Sequence, residues 1–357
     1  MRMPSATSKS YLHWVQCARV IAQFGFFSST FFCLMLILLT LSGVKRNFGS
    51  YTRLLIIFPA VGIVYATIEF LIYPHVHSYN SGYFYYSTSH PFNISNNAVT
   101  WWLSIYTGVY ASTIAMLAVQ FVYRYWAVFD RRKLRFFQGW RFLFCLVYSS
   151  LFGFQWVFGH YYFEKVDEYA ASYMRIEMLE KYNIDTRNVA SLALVVYDEQ
   201  GRIRWWNSAC ILNMTSTIVI QYTIISYCAY FMYRRMEDKL QVVSEACRKV
   251  HTQFFKTLVL QIITPTASLF SPLLFIMYLP FFNLEINIPT GIILCSFTIY
   301  PAMDAIIVMY VVTDYRKAMK RAMRRLMDRM YKWLSLADVD RSTYAVRYST
   351  PAASSLS

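Results

Sequence analysis

Long apolar blocks alternate along the chain with short polar segments that are rich in lysine and arginine. A hydrocarbon core about 30 Å thick requires about 20 mostly apolar residues per helix, and seven blocks reach that length. Because lipid offers the backbone no hydrogen-bond partners, these blocks must be helices. The sequence therefore predicts an all-α membrane protein, a seven-transmembrane helix bundle. Its predicted spans are 20–44, 54–73, 101–123, 142–162, 209–233, 257–282 and 288–312.

The predicted spans contain few interruptions. The first block is longer than the 7 to 15 apolar residues of a signal-peptide core, so we expect it to remain as a span. Prolines at positions 59, 265, 272 and 301 predict local kinks within their helices, because proline lacks the amide hydrogen that continues the hydrogen-bond ladder.

The distribution of basic residues predicts the orientation. Loops that are rich in lysine and arginine stay in the cytosol, and segments 74–100 and 281–287 contain neither residue. The loops on the other side are basic, as is the segment after the last span. We therefore expect residues 1–19 to be extracellular and the C-terminus to be cytoplasmic. Asn93, in the motif Asn93-Ile94-Ser95 of the first outer loop, is a candidate glycosylation site in that orientation.

The segment after the seventh span has its own pattern. From 313 to 336, apolar residues recur at spacings of three and four, and basic residues fill the opposite face. This pattern predicts an amphipathic juxtamembrane helix that contacts anionic membrane lipid; a calmodulin-binding helix is the alternative. Residues 337–357 are polar and rich in serine and threonine, so a disordered tail is expected.

Composition narrows the classes of function. The chain has 57% hydrophobic and 15% charged residues, which is the balance of a membrane protein. Its net charge of +15 does not indicate a nucleic-acid-binding domain, because the basic residues lie in short runs between apolar blocks. The seven cysteines show no paired spacing, and no catalytic motif is present, so we expect neither a cofactor nor an enzyme. His75 and His77 lack a third ligand in the sequence, so we expect no metal site there.

Polar and aromatic residues within the spans are the candidate functional residues. Ionisable groups inside a membrane are costly, and the candidates are Glu69, Arg124 and Asp304. Glu69 is also compatible with simple solvation near the outer surface, and the other two with structural pairing or with the interface. Aromatic residues concentrate at the outer ends of the spans, where a membrane-interface belt explains Trp101. The tentative ligand-binding set is Tyr106, Tyr110, Glu69 and Tyr278.

Four stretches resemble the nematode serpentine chemoreceptors of the Str superfamily, which are odorant-receptor-like G-protein-coupled receptors. The stretches are 49–55, 120–128, 254–261 followed by Pro265, and 300–304 leading to Tyr315-Arg316. The resemblance implies a receptor that binds an environmental small molecule among its helices, activates a heterotrimeric G protein and resides in the plasma membrane of sensory-neuron cilia.

The resemblance also implies where switching occurs. Arg124 and Tyr125 stand where many such receptors have an acidic-Arg-Tyr switch, and Tyr300, Pro301 and Asp304 stand where they have Asn-Pro-x-x-Tyr. The chain departs from the pattern in three respects. Tyr123 replaces the acid, Ala305 replaces a frequent proline, and the third span lacks the outer cysteine that rhodopsin-like receptors use for a disulfide. The second outer loop must then be held by packing or by charge pairs.

Two other classes of membrane protein fit seven apolar blocks. A ligand-gated channel subunit of the insect odorant-receptor kind has its N-terminus in the cytosol, which the distribution of basic residues opposes. A small-molecule transporter often shows internal repeats with paired broken helices, and the sequence shows no such duplication.

Overall fold

The computed structural model describes residues 10–43, 51–240, 259–284, 287–325 and 327–330. Seven of its helices are long and apolar enough to cross a membrane, which confirms the predicted bundle. A shorter helix, α5, lies between the fourth and fifth of these. In chain order the helices are α1 (Leu12–Leu38), α2 (Tyr51–Ile72), α3 (Asn96–Phe129), α4 (Phe142–Phe163), α5 (Glu168–Tyr182), α6 (Trp205–Leu240), α7 (Val259–Phe282) and α8 (Gly291–Val311).

Several helices continue beyond the apolar blocks from which they were predicted. Helix α1 begins at Leu12, and α3 runs from Asn96 to Phe129. The Ser95 hydroxyl caps α3 by accepting a hydrogen bond from the Ala98 amide at 3.3 Å, which satisfies one of the free amides of the first turn. Helix α3 is the most buried of the seven and forms the centre of the bundle.

A β-sheet, which the pattern of apolar blocks does not predict, covers one end of the bundle. It is antiparallel, with the order β3-β2-β1-β4. We call this end of the bundle the sheet end. The strands are β1 (His75–Tyr79), β2 (Gly82–Ser87), β3 (Ala190–Val195) and β4 (Asn287–Ile288).

Side chains alternate between the two faces of this sheet. Tyr83 and Tyr85 belong to the apolar core of the bundle, whereas Phe84 and Tyr86 pack with α5 on the other face. Because both faces are buried, β2 is apolar and aromatic at every position from 83 to 86. The sheet and α5 together close one end of the bundle.

The segment between α4 and α6 is held mainly by this sheet. Packing and charge pairs were the expected restraints, and both are present: Arg204 pairs with Asp167, and α5 packs on the sheet. The main restraint is the backbone pairing of β3 with β2 over six residues. The described cysteines form no disulfide.

Small residues bring the helices close together. Cβ atoms built on Gly108 of α3 and Gly153 of α4 would each lie within 2.8 Å of the other's carbonyl oxygen, so the two backbones touch at this point. A Cβ on Gly62 of α2 would lie 2.7 Å from the Pro301 side chain. Such close approach allows helices to associate in lipid, where apolar burial gives no driving force.

The predicted kinks have counterparts in α7 and α8. A π-helical turn, Thr266–Phe270, lies between Pro265 and Pro272, and a 3₁₀ turn, Phe297–Ile299, precedes Pro301. Both turns lie where proline removes an amide donor from the ladder. Pro59 lies inside the continuous helix α2.

Residues 313–325 and 327–330 are helical after α8. Tyr315 and Ala318 pack against α1 and α8, while 320–325 and 327–330 are exposed. The predicted disordered tail and much of the basic third inner loop lie outside the described residues.

Candidate ligand cavity and switch network

An apolar cavity lies inside the bundle, directly beneath the sheet. Its volume is about 50 Å³, so a ligand of more than a few heavy atoms requires side chains to move. The walls come from six spanning helices and from strands β1 and β2. The lining residues are Tyr65, Val76, Tyr83, Tyr85, Tyr106, Thr107, Tyr110, Trp156, His160, Met214, Leu273, Ile276, Met277, Leu294 and Phe297.

Three tyrosines form one wall of this cavity. The rings of Tyr65 and Tyr106 are stacked with centroids 4.7 Å apart, and the Tyr65 hydroxyl donates a hydrogen bond to the Tyr106 hydroxyl at 2.5 Å. The Tyr110 hydroxyl donates to the Leu269 carbonyl at 3.1 Å, within the π-helical turn of α7. The structure thus places Tyr106 and Tyr110 on the cavity wall, and Tyr110 connects the cavity to the irregular part of α7.

Glu69 lies behind this wall. It is fully buried, so its interpretation as a solvated surface residue is wrong. The Tyr106 hydroxyl and the Cys295 thiol are close to its carboxyl group, but within the described part of the chain neither carboxyl oxygen has a hydrogen-bond partner. Glu69 does not line the cavity itself, although Tyr106, which contacts it, does.

Tyr278 is directed away from the cavity. Its side chain is partly exposed, and its hydroxyl lies 2.8 Å from the Thr215 hydroxyl on the outer surface of α6 and α7. The two residues before it, Ile276 and Met277, line the cavity instead. Periodicity alone did not give the rotation of α7, because the π-helical turn before Tyr278 changes the phase of the helix.

A buried polar cluster joins the sheet to α4 beside the cavity. Both carboxyl oxygens of Glu164 are engaged: one accepts a hydrogen bond from the Tyr83 hydroxyl, and the other lies 2.9 Å from His160 Nδ1. Burial alone would raise the pKa of Glu164, but the contacts with His160 and Tyr83 outweigh it and lower the pKa. Possible metal-ligand atoms of His160, Glu164 and Cys210 lie within 4.8 Å of one another.

The two histidines of β1 lie on the sheet face opposite the cavity. The ring of His75 lies 5.7 Å from the Tyr86 ring, and the Tyr182 hydroxyl lies 3.0 Å from His77 Nδ1. His77 Nε2 is 3.7 Å from a carboxyl oxygen of Glu177. The two contacts of His77 connect the sheet to α5.

Burial, with a smaller contribution from Arg19, lowers the pKa of His75 from 6.5 to about 4. Between these two pH values the unfolded chain binds a proton that the folded chain does not, so stability decreases as pH falls through this window. The expected loss is about 3 kcal/mol. The melting temperature of His75→Gln should therefore fall less steeply from pH 6.5 to 4 than that of the wild type. The exposed control His90→Gln should keep the wild-type slope; parallel curves for His75→Gln and wild type would contradict the prediction.

A polar network crosses the bundle at the end opposite the sheet. Two nitrogens of Arg124 donate to the Tyr51 hydroxyl at 3.1 and 2.6 Å, and a third nitrogen donates to the Gln261 side-chain oxygen. The Gln261 amide in turn donates to Asp304 at 3.4 Å. Tyr123 cannot form an ion pair with Arg124 as an acidic residue would. Arg124 is instead held by α2 and α7, and the network extends through Gln261 to α8.

The other predicted switch residues surround this network. Tyr300 is fully buried and meets the Phe58 ring edge-on at 6.5 Å, and Pro301 packs on Gly62 of α2. Tyr125 lies apart from them, stacked on Phe129 with centroids 4.6 Å apart. The structure therefore brings Arg124, Tyr300, Pro301 and Asp304 into one region and places Tyr125 on another face of α3.

Several residues of both sites are not predicted from the sequence. Tyr83 and Tyr85 lie between the second and third predicted spans, where the sequence predicts no regular element, although alternating burial on two faces is what a strand there produces. Trp156 and His160 lie four residues apart on one face of α4, and Glu164 follows at the same spacing directly after the helix ends. Tyr51 and Gln261 carried no comparable signal, because only the fold brings them to Arg124.

Comparisons with known proteins agree with this architecture. The sequence model for the serpentine type 7TM GPCR chemoreceptor family Str matches residues 18–320. The chain is 36% identical over 308 residues to the G-protein coupled receptor str-33 of Caenorhabditis elegans, which covers 85% of this chain and 89% of the relative.

Two further relatives carry the name serpentine receptor class r-10. The protein from Caenorhabditis elegans is 29% identical over 296 residues, or 80% of this chain and 85% of its own. The protein from Caenorhabditis briggsae is 27% identical over 322 residues, or 87% of this chain and 91% of its own. The similarity therefore spans nearly all of the bundle.

Proposed function

The chain belongs to the Str family of serpentine seven-transmembrane chemoreceptors, and from this premise we propose that it binds an environmental small molecule between its helices and activates a heterotrimeric G protein. It is a multi-pass membrane protein. In the proposed orientation the sheet end is extracellular and Arg124 lies at the cytoplasmic end. This orientation exposes Asn93 to the glycosylation machinery, and we place the receptor in the plasma membrane of a sensory cilium.

The observation that carries this proposal is the aromatic cavity beneath the sheet. It is enclosed by apolar side chains and has few polar groups, which suits a small and largely apolar molecule. Glu69, Tyr106 and Tyr110 are the proposed ligand-recognition residues, and the structure gives no support for Tyr278 in that role.

Helix α7 connects the cavity to the end of the bundle opposite the sheet. Tyr110 lies on the cavity wall and bonds the π-helical turn of α7 through Leu269, and the same helix carries Gln261, which holds Arg124. A ligand that moves Tyr110 thereby favours a different arrangement of α7. We expect this arrangement to shift the population toward a state that exposes Arg124 to the G protein.

Signalling in transfected cells tests the proposal. Cells that express the chain with an N-terminal tag are challenged with volatile and water-soluble odorants while calcium or cAMP is imaged. A response that disappears when the G protein is depleted, together with an accessible tag on intact cells, is the expected result. A direct cation current that persists without G protein, with the tag inaccessible, would contradict the proposal and favour a channel.

A further inference from the structure

Glu69 differs from the other acidic residues buried within or beside the bundle. Asp304 accepts a hydrogen bond from Gln261 and lies in the field of Arg124, and Glu164 is paired with His160. Within the residues that the structure describes, Glu69 pairs with no basic side chain, and neither carboxyl oxygen has a hydrogen-bond partner. A buried carboxylate without a positively charged partner is strongly unfavourable, so this position favours either a proton or an approaching cation.

Aromatic rings lie between Glu69 and the cavity. The stacked rings of Tyr65 and Tyr106 lie between α2 and α3. The centroid of the Tyr110 ring is 6.2 Å from that of Tyr65 and 5.3 Å from that of Phe297. The faces of such rings attract an ammonium group, most strongly where water is excluded. The same rings line the cavity.

We propose that the ligand is a small organic amine, bound as its ammonium ion with Glu69 as the counter-ion and the tyrosines as its aromatic wall. The inference rests on the proposed function and names the chemical class of its ligand. The hydrocarbon part of the amine occupies the apolar cavity. Because Tyr106 lies at the wall and contacts Glu69, the ammonium group reaches the carboxylate when the Tyr106 ring turns aside.

This movement has a consequence for the rest of the cavity wall. Turning Tyr106 breaks its hydrogen bond with Tyr65 and changes its stacking. Tyr110 packs near the same Tyr65 ring and bonds α7. An amine therefore affects the hydrogen bond by which Tyr110 joins the cavity wall to α7. A neutral molecule of the same shape has no charge that attracts it toward Glu69.

Ligand-induced stabilisation of the purified full-length protein in lipid nanodiscs tests the proposal without any G protein. The probes are 3-methylbutylamine and 3-methylbutan-1-ol, which share one carbon skeleton, and a series of alkylamines from methylamine to cyclohexylamine. We expect the melting temperature to rise with the concentration of at least one amine in the series, and 3-methylbutylamine to stabilise the protein more than 3-methylbutan-1-ol does.

Two variants locate the interaction. Glu69→Gln keeps the shape but removes the charge, and should weaken the binding of the stabilising amine about 30-fold or more, since a buried charge pair is lost. Glu180→Gln makes the same chemical change at an exposed position of α5 and should bind the amine like the wild type. If Glu69→Gln unfolds at a lower temperature without ligand, direct binding of radiolabelled amine to the folded fraction gives the same comparison.

The outcomes separate this inference from the proposed function. Equal stabilisation by the amine and the alcohol, undiminished binding of the amine to Glu69→Gln, or no stabilisation by any amine would overturn the inference and would indicate that a proton neutralises Glu69. A G-protein response to neutral odorants would leave the proposed function intact in that case. Amine binding without any cellular response would support the inference and contradict the function.

Discussion

Replacing Gln261 with alanine should raise ligand-independent signalling about tenfold. Gln261 of α7 accepts a hydrogen bond from Arg124 of α3 and donates one to Asp304 of α8, so it connects three helices at the end opposite the sheet. A hydrogen bond to a charged group contributes about 1.5–3 kcal/mol, and a change of 1.4 kcal/mol in a two-state equilibrium is tenfold. Losing this link favours the arrangement in which α7 has moved away from α3.

The measurement is the basal cAMP or calcium signal, normalised to receptor at the cell surface. Leu260→Ala is the matched control, because Leu260 is the preceding residue of the same helix and is exposed on its outer surface; its basal signal should equal that of the wild type. An unchanged or lower basal signal in Gln261→Ala would show that the link does not restrain the inactive state.

Replacing Arg124 with alanine should change signalling in the opposite direction. Arg124 takes part in the link, but in the proposed active state it also faces the G protein, so its loss should reduce signalling while surface expression is retained. Tyr51→Phe removes only the hydroxyl that accepts two of the Arg124 hydrogen bonds and should leave the ligand response in place. Undiminished signalling by Arg124→Ala would exclude a switching role for this residue.

Replacing Gly153 with valine should prevent the bundle from packing and remove the protein from the cell surface. A Cβ at this position would lie 2.0 Å from the Ser112 hydroxyl oxygen and 2.8 Å from the Gly108 carbonyl oxygen. The serine side chain can rotate, but the Gly108 backbone can move only if α3 and α4 separate. We expect a destabilisation of about 3 kcal/mol.

Surface labelling and the melting temperature in detergent measure this effect. Ser150→Val places the same side chain on the exposed face of α4, one turn away, and should express and melt like the wild type. Normal surface levels of Gly153→Val would show that the contact between α3 and α4 is looser than the structure indicates.

Much of the fold follows from the sequence because few backbone structures can cross the lipid. Backbone groups in the hydrocarbon core must be satisfied within each segment, so the length and apolar character of the seven blocks were sufficient to predict seven helices. The kinks in α7 and α8 follow equally directly, since Pro265, Pro272 and Pro301 remove amide donors from known positions.

The sheet could not be predicted in this way. Its strands come from distant segments: Ser78 of β1 pairs with Ile288 of β4, and Tyr83 pairs with Leu194 only because α3 and α4 bring those segments together. The aromatic run 83–86 also fits a membrane-interface belt, since aromatic residues are favoured in both environments. Backbone pairing between distant segments leaves little trace in either segment alone.

Some residues of the candidate site could likewise be predicted from the sequence, and others only from the structure. Residue chemistry marked Glu69, Arg124 and Asp304 because ionisable groups are costly in a membrane, and spacing placed Tyr106 and Tyr110 on one face of α3. The rotation of each helix decided the rest: it buried Glu69, turned Tyr278 away from the cavity and brought Gln261 to Arg124. By itself the sequence determined which segments cross the membrane, because the bilayer acts on each segment separately. Only the tertiary structure decided which side chains meet, because contacts depend on how the helices pack against one another.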